Sequence, residues 1–158
     1  VYFGDASRLD LLRAAHVEKA RAFVLAIDHI EASVKTAALV KTHFPHLEIY
    51  ARARNRQHAY QLMDLGVTHI ERETFLASLS LAQRLLCGLG LSKDQVDEAA
   101  RRFRAHDEGL LQRQHLVYRD EAQLIASAKQ GAEELERLFE EDREADPAEE
   151  SAQQTASS

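Results

Sequence analysis

The chain of 158 residues is long enough for one domain, or for one domain carrying an appendage. Hydrophobic residues make up 45% of it, aromatics only 6%, and tryptophan is absent, so aliphatic side chains must fill the core. The formal charge of -6 lies in the tail, where seven acidic residues and one arginine fall between Glu140 and Glu150, and a balanced body argues against a nucleic-acid surface.

Residues 1–3 (VYF) read as the end of a strand stopped by Gly4 and Asp5. Ser7 stands where it would cap a helix running to about His16, with Leu9, Leu12 and Val17 on the buried side. Residues 22–28 (AFVLAID) are a continuous apolar run bounded by charge, the pattern of a strand buried on both faces. The next helix has Val34, Ala37, Ala38 and Val40 apolar and stops at HFPH, because Pro45 cannot continue it. Residues 47–53 (LEIYARA) form another strand, Asn55 caps a short helix ending at Gly66, and residues 67–70 (VTHI) are a brief fourth strand. Strands beginning near residues 1, 22, 48 and 67 with helices between them imply βαβ units, right-handed crossovers and a parallel sheet. The fold class is α/β.

Beyond Ile70 the pattern turns helical. Residues 72–89 are amphipathic through Phe75, Leu79, Leu81, Ala82, Leu85 and Leu86, with a break at Gly88 and Gly90 and a new cap at Ser92. Residues 120–144 form a further helix whose stripe is Leu124, Ala128, Leu135, Leu138 and Phe139. Residues 146–158 lack periodicity and read as a disordered acidic and polar tail. No G-x-G-x-x-G occurs, so the glycine-rich phosphate-binding half of a doubly wound sheet is expected upstream of Val1. Without that half the segment should bind nucleotide weakly and expose an unpaired, aggregation-prone sheet edge.

Ligands of open α/β sheets bind at the carboxyl ends of the strands, and three such ends carry charge. Asp5 either accepts hydrogen bonds from a ribose or adenine amino group or helps to cap the following helix. Asp28, followed by His29, is either a second acid in the same cleft or a turn residue. Arg52, Arg54 and Arg56 end the next strand; their guanidinium forks suit a carboxylate or phosphate, the alternative being an ion pair with Asp28 or Asp5. Their position on the binding edge favours the anion. In the stretch 71–75 (ERETF), Glu73 and Thr74 suit the first turn of a helix, whereas Arg72 gains nothing from the helix dipole.

Other chemistries find no support. Eight histidines are present without HExxH or Cys/His ligand spacing, so no metal is expected. The one cysteine, Cys87, sits among Leu85, Leu86 and Leu89 as a buried, inert thiol, and a lone cysteine forbids an internal disulfide. No nucleophile triad or catalytic acid–base pair stands out. No apolar run approaches the roughly 20 residues that span a bilayer, and no signal peptide is visible.

The stretches VYFGDASRLDLLRAA, HFPHLEIYARARNR, LGVTHIERETF and FRAHDEGLL together resemble the C-terminal cytoplasmic nucleotide-binding domain (RCK/KTN, TrkA-N type) of Kef-type glutathione-regulated potassium-efflux antiporters, in the KefB/KefC branch. That resemblance implies the C-terminal half of a Rossmann-like parallel sheet followed by a helical dimerisation segment. Its parts would be residues 1–71 as nucleotide-binding portion, 72–145 as helical extension and 146–158 as tail. It further implies a regulatory module, not an enzyme, on the cytoplasmic face of the bacterial inner membrane. AMP or NAD(H) would lie at Asp5, Ala6 and Asp28. Reduced glutathione or its conjugates would meet Arg52, Arg54, Asn55 and Arg72, with Asp107 reaching the ligand of the neighbouring chain. The implied partners are a second copy, the membrane antiporter domain of the same polypeptide and an ancillary quinone-reductase-type flavoprotein.

Two rival readings remain at this level. One is half of a nicotinamide-dependent oxidoreductase, which needs a catalytic acid facing the nicotinamide. The other is a pure dimerisation module with the 120–144 helix as a docking surface.

Overall fold

In the computed structural model, backbone structure is described for residues 4–145 and side chains for residues 4–140. The strand end expected at 1–3 and the tail expected at 146–158 lie outside the described residues. In chain order come α1 (Leu9–Ala14), a short 3-10 turn (Val17–Lys19), β1 (Ala22–Leu25), α2 (Ile30–His43), β2 (Glu48–Ala53), α3 (Arg56–Asp64) and β3 (His69–Arg72). Then follow α4 (Phe75–Gly88), α5 (Lys93–His115) and α6 (Glu121–Ala145). Two compact units result, one ending at Asp97 and one beginning at Glu98.

In the first unit the three strands pair in parallel in the order β1-β2-β3, each step passing through a helix, as the alternating pattern requires. Period-two alternation along β2 sets the faces: Ile49, Ala51 and Ala53 point into the core, Glu48, Tyr50 and Arg52 away from it. The core joins Leu25, Ile49 and Ala53 of the sheet to Ala37 and Val40 of α2 and Ala59 and Leu62 of α3. Register sets Val24 beside Tyr50 and Tyr50 beside His69 on the opposite face. There the Tyr50 and His69 rings stack 4.3 Å apart and Val24 is 75% exposed. The run at 22–28 is therefore not a strand buried on both sides. Among the described residues the helices cover the inner face, and the apolar residues of the outer face stay open.

Turn chemistry fixes the elements that frame the strand ends. The Asn55 side-chain oxygen accepts the His58 amide at 2.8 Å and so caps α3. At the other end Gly66 adopts φ 72°, which lets the Val67 amide reach back to the Leu62 carbonyl at 3.1 Å. Replacing Asn55 by alanine should cost about 1 kcal/mol, the usual worth of such a cap, seen as a lower urea midpoint at unchanged slope. α2 ends one residue before Phe44 and two before Pro45, in line with the proline stop. Ser7 behaves otherwise than expected. It caps no helix; its amide and hydroxyl both turn back to Asp5, and α1 starts after Arg8 without a side-chain cap.

In the second unit α6 is capped by Asp120, which accepts the Gln123 amide at 3.1 Å. His106 contacts the Gly131 carbonyl at 3.0 Å and Arg113 pairs with Glu134 at 2.7 Å, tying α5 to α6. A Cβ at Gly131 would meet both Leu110 methyls at 2.8 Å, so the absence of a side chain there permits the contact. Leu124, Leu135 and Leu138 of the expected stripe are half-buried, whereas Ala128 and Phe139 are exposed. None of the helices among the described residues is long and apolar enough to cross a membrane.

Candidate functional site

The carboxyl ends of β1, β2 and β3 release the chain at residues 26–28, 54 and 73, and these three points converge on two arginines. Arg52 donates to the Ala26 carbonyl at 3.1 Å and pairs closely with Asp28. Arg54 lies 3.9 Å from Asp28 and 3.3 Å from Glu73, and Arg52 lies 3.6 Å from Glu73. Two guanidinium groups and two carboxylates thus form one charge-balanced cluster. Of the alternatives for these arginines, the ion pair with Asp28 is the one formed, at the carboxyl edge of the sheet. Asp28 is the acid to which the sequence points. Glu73, whose place in the chain suits the helix dipole, turns back toward the sheet instead, while its own amide donates to the Ala53 carbonyl at 2.9 Å.

Behind the cluster is a residue that sequence reasoning missed. His58 is fully buried on α3, and its Nδ1 accepts the Arg54 amide at 3.2 Å. Since that partner is a donor, the ring proton must sit on Nε2, which donates to the Ser33 hydroxyl of α2 at 3.1 Å. Burial holds the His58 pKa below its ordinary value, which keeps the ring neutral. One imidazole therefore fastens the backbone of Arg54 to two helices. The only signal in the sequence is its spacing of three from Asn55.

Arg72 ends β3 with its guanidinium 4.0 Å from the centroid of the Phe75 ring. Such stacking fixes the orientation of the planar fork. Asn55 stands between Arg54 and α3 with its oxygen committed to the helix cap. Asp5 is exposed, and the two bonds from Ser7, at 2.9 Å each, hold its carboxyl below the usual range. Ala6 is half-buried against the core. Asp107 belongs to the second unit, where it is buried on α5. The fold thus brings Arg52, Arg54 and Asp28 into direct contact.

Cys87 departs from expectation: it is exposed, and so are Leu85 and Leu89 beside it. Residues 75, 79 and 86 of α4 are half-buried, while Leu81 and Leu85 project from a different side. No group of three or more His, Cys, Asp or Glu capable of holding a metal occurs among the described residues.

Comparison with known proteins places this arrangement. Residues 77–155 match the family of the potassium efflux system KefB C-terminal domain, and residues 1–73 match the TrkA-N domain. A solved structure described as a Shewanella denitrificans Kef CTD in AMP-bound form is 39% identical, with 74% of each chain covered and a TM-score of 0.72. The chain belongs to the Kef C-terminal domain family. It is a regulatory domain of a potassium efflux system, with the α/β parallel sheet and helical extension of a Rossmann-like RCK domain. On this Kef domain the two matched segments meet across residues 74–76, where the chain passes from the turn after β3 into the first residues of α4.

Proposed function

We propose that this chain is the ligand-sensing part of a glutathione-regulated potassium:proton antiporter, held on the cytoplasmic face of the bacterial inner membrane. It binds its ligand without transforming it. Residues 1–71 form the nucleotide portion, where AMP or NAD(H) lies near Asp5, Ala6 and Asp28. Residues 72–145 form the dimerisation and regulatory extension, and residues 146–158 the acidic tail. The AMP-bound form of the similar Shewanella denitrificans Kef domain supports the nucleotide.

Reduced glutathione meets Arg52, Arg54, Asn55 and Arg72, with Asp107 supplied by the second copy of a homodimer. The observation that carries this reading is the gathering of Arg52 and Arg54 at the carboxyl edge of the sheet, with Arg72 closing the neighbouring strand. Glutathione has two carboxylates, and forked guanidinium groups are the side chains best matched to them. Glutathione keeps the antiporter closed, and bulky conjugates open it by binding a second arrangement of the dimer more tightly. Equal affinity for both would shift nothing. The membrane antiporter domain of the same polypeptide and a quinone-reductase-type flavoprotein are its partners.

Calorimetry tests the reading. Reduced glutathione should bind the chain, and Arg72→Ala should weaken that binding about 10- to 100-fold, as expected for one charge-assisted contact. Absence of heat with glutathione and with its conjugates would reject it.

A further inference from the structure

The charge balance at the sheet edge bears on how an anion enters. Arg52 and Arg54 face two carboxylates already, so the cluster as folded offers an incoming carboxylate no net positive charge. The two acids are held unequally. Asp28 is in close contact with Arg52, whose second bond to the Ala26 carbonyl fixes it from the same side. Glu73 sits farther off, 3.6 Å from Arg52 and 3.3 Å from Arg54. Its backbone is anchored independently by the bond to Ala53, in the turn before α4, where Thr74 forms no side-chain cap. Because that bond holds the main chain without the side chain, exchange of the Glu73 carboxylate needs no movement of the backbone.

We propose that Glu73 is an internal competitor for the ligand: its carboxylate occupies the Arg52–Arg54 forks until a ligand carboxylate displaces it. This rests on the glutathione reading above and adds a residue that sets affinity there. Displacement conserves charge at the forks, one carboxylate leaving as another arrives, so the exchange avoids stranding a partly buried cation. The released Glu73 lies next in the chain to Arg72, on the turn that starts α4, which links occupation of the site to the start of that helix.

The test is calorimetric titration of the whole chain with reduced glutathione and with its diethyl ester, comparing wild type, Glu73→Gln and Glu73→Asp. Glu73→Gln keeps the shape and removes the competing charge, and should bind glutathione about tenfold tighter. Glu73→Asp, too short to reach both arginines, should fall between. The ester, which lacks the competing carboxylates, should gain much less from either change. Measurable binding of glutathione by wild type with no gain in either variant overturns the inference and leaves the glutathione reading standing. An equal gain for the ester overturns it as well. No binding by any of the three proteins rejects the glutathione reading, and the competitor role falls with it.

Discussion

Replacing His58 by phenylalanine is expected to destabilise the first unit by about 2–4 kcal/mol, although the ring is replaced by one of similar size. The cost is polar. Nδ1 accepts the Arg54 amide in a part-buried bond, and Nε2 donates to the Ser33 hydroxyl, which is fully buried. Removing the imidazole leaves an amide donor without its acceptor and a buried hydroxyl without its donor, each worth about 1–3 kcal/mol. The loss should also depend on pH, with a determinate sign. Burial lowers the folded pKa of His58 from its ordinary 6.5, so the unfolded chain takes up a proton first. The contribution of His58 is complete above pH 6.5 and declines as pH falls from there toward the lowered folded value. The slope is about 1.4 kcal/mol per pH unit. Urea denaturation of wild type and His58→Phe at about pH 7.5 and about pH 5.5 should show a smaller difference at the lower pH. A difference that does not change with pH would mean that the imidazole is not held neutral.

Much of the fold is legible because it rests on local rules. β2 shows its two faces through the alternation of Ile49, Ala51 and Ala53 with polar neighbours. Asn55 and Gly66 mark the two ends of α3 through cap chemistry that acts within a few residues. The site is legible only where position on the sheet edge decides it, as for Asp28, Arg52 and Arg54. Glu73 is not, because an acid before a helix has a sufficient local explanation in the dipole, while its actual partners, Arg52 and Arg54, lie at the end of the preceding strand and just past it, across a whole helix. His58 is not, because a histidine in a helix carries no sign of being buried until Ser33 is brought beside it. Ser7 misleads for the opposite reason: a serine before a helix suggests a cap, but Asp5, two residues away, offers its hydroxyl and amide a nearer acceptor. The run at 22–28 and Cys87 share a third cause. Apolar character suggests burial within one chain, yet burial depends on what other surface is present.

That last point carries the second large effect. Leu81, Leu85 and Leu89 are 69%, 61% and 70% exposed, and spacing of four sets them along one side of α4 and its end. In the proposed homodimer, this row of leucines, facing water in a single copy, is the surface assigned to the second copy. The double substitution Leu81→Glu, Leu85→Glu should therefore weaken the proposed homodimer roughly 100-fold or more, since two-fold symmetry counts each lost leucine twice and brings four carboxylates together. Light scattering should show the wild type at twice the 17.8 kDa chain mass and the variant at 17.8 kDa. Because these leucines contribute little to the core of their own chain, the variant monomer should unfold within about 0.5 kcal/mol of the wild-type monomer. A variant that stays dimeric would move the interface off this face of α4. If Asp107 of one copy does complete the glutathione site of the other, the monomeric variant should also lose glutathione affinity while Arg52, Arg54 and Arg72 remain intact. Dimerisation and binding would then fail together, through substitutions that touch no residue of the arginine cluster.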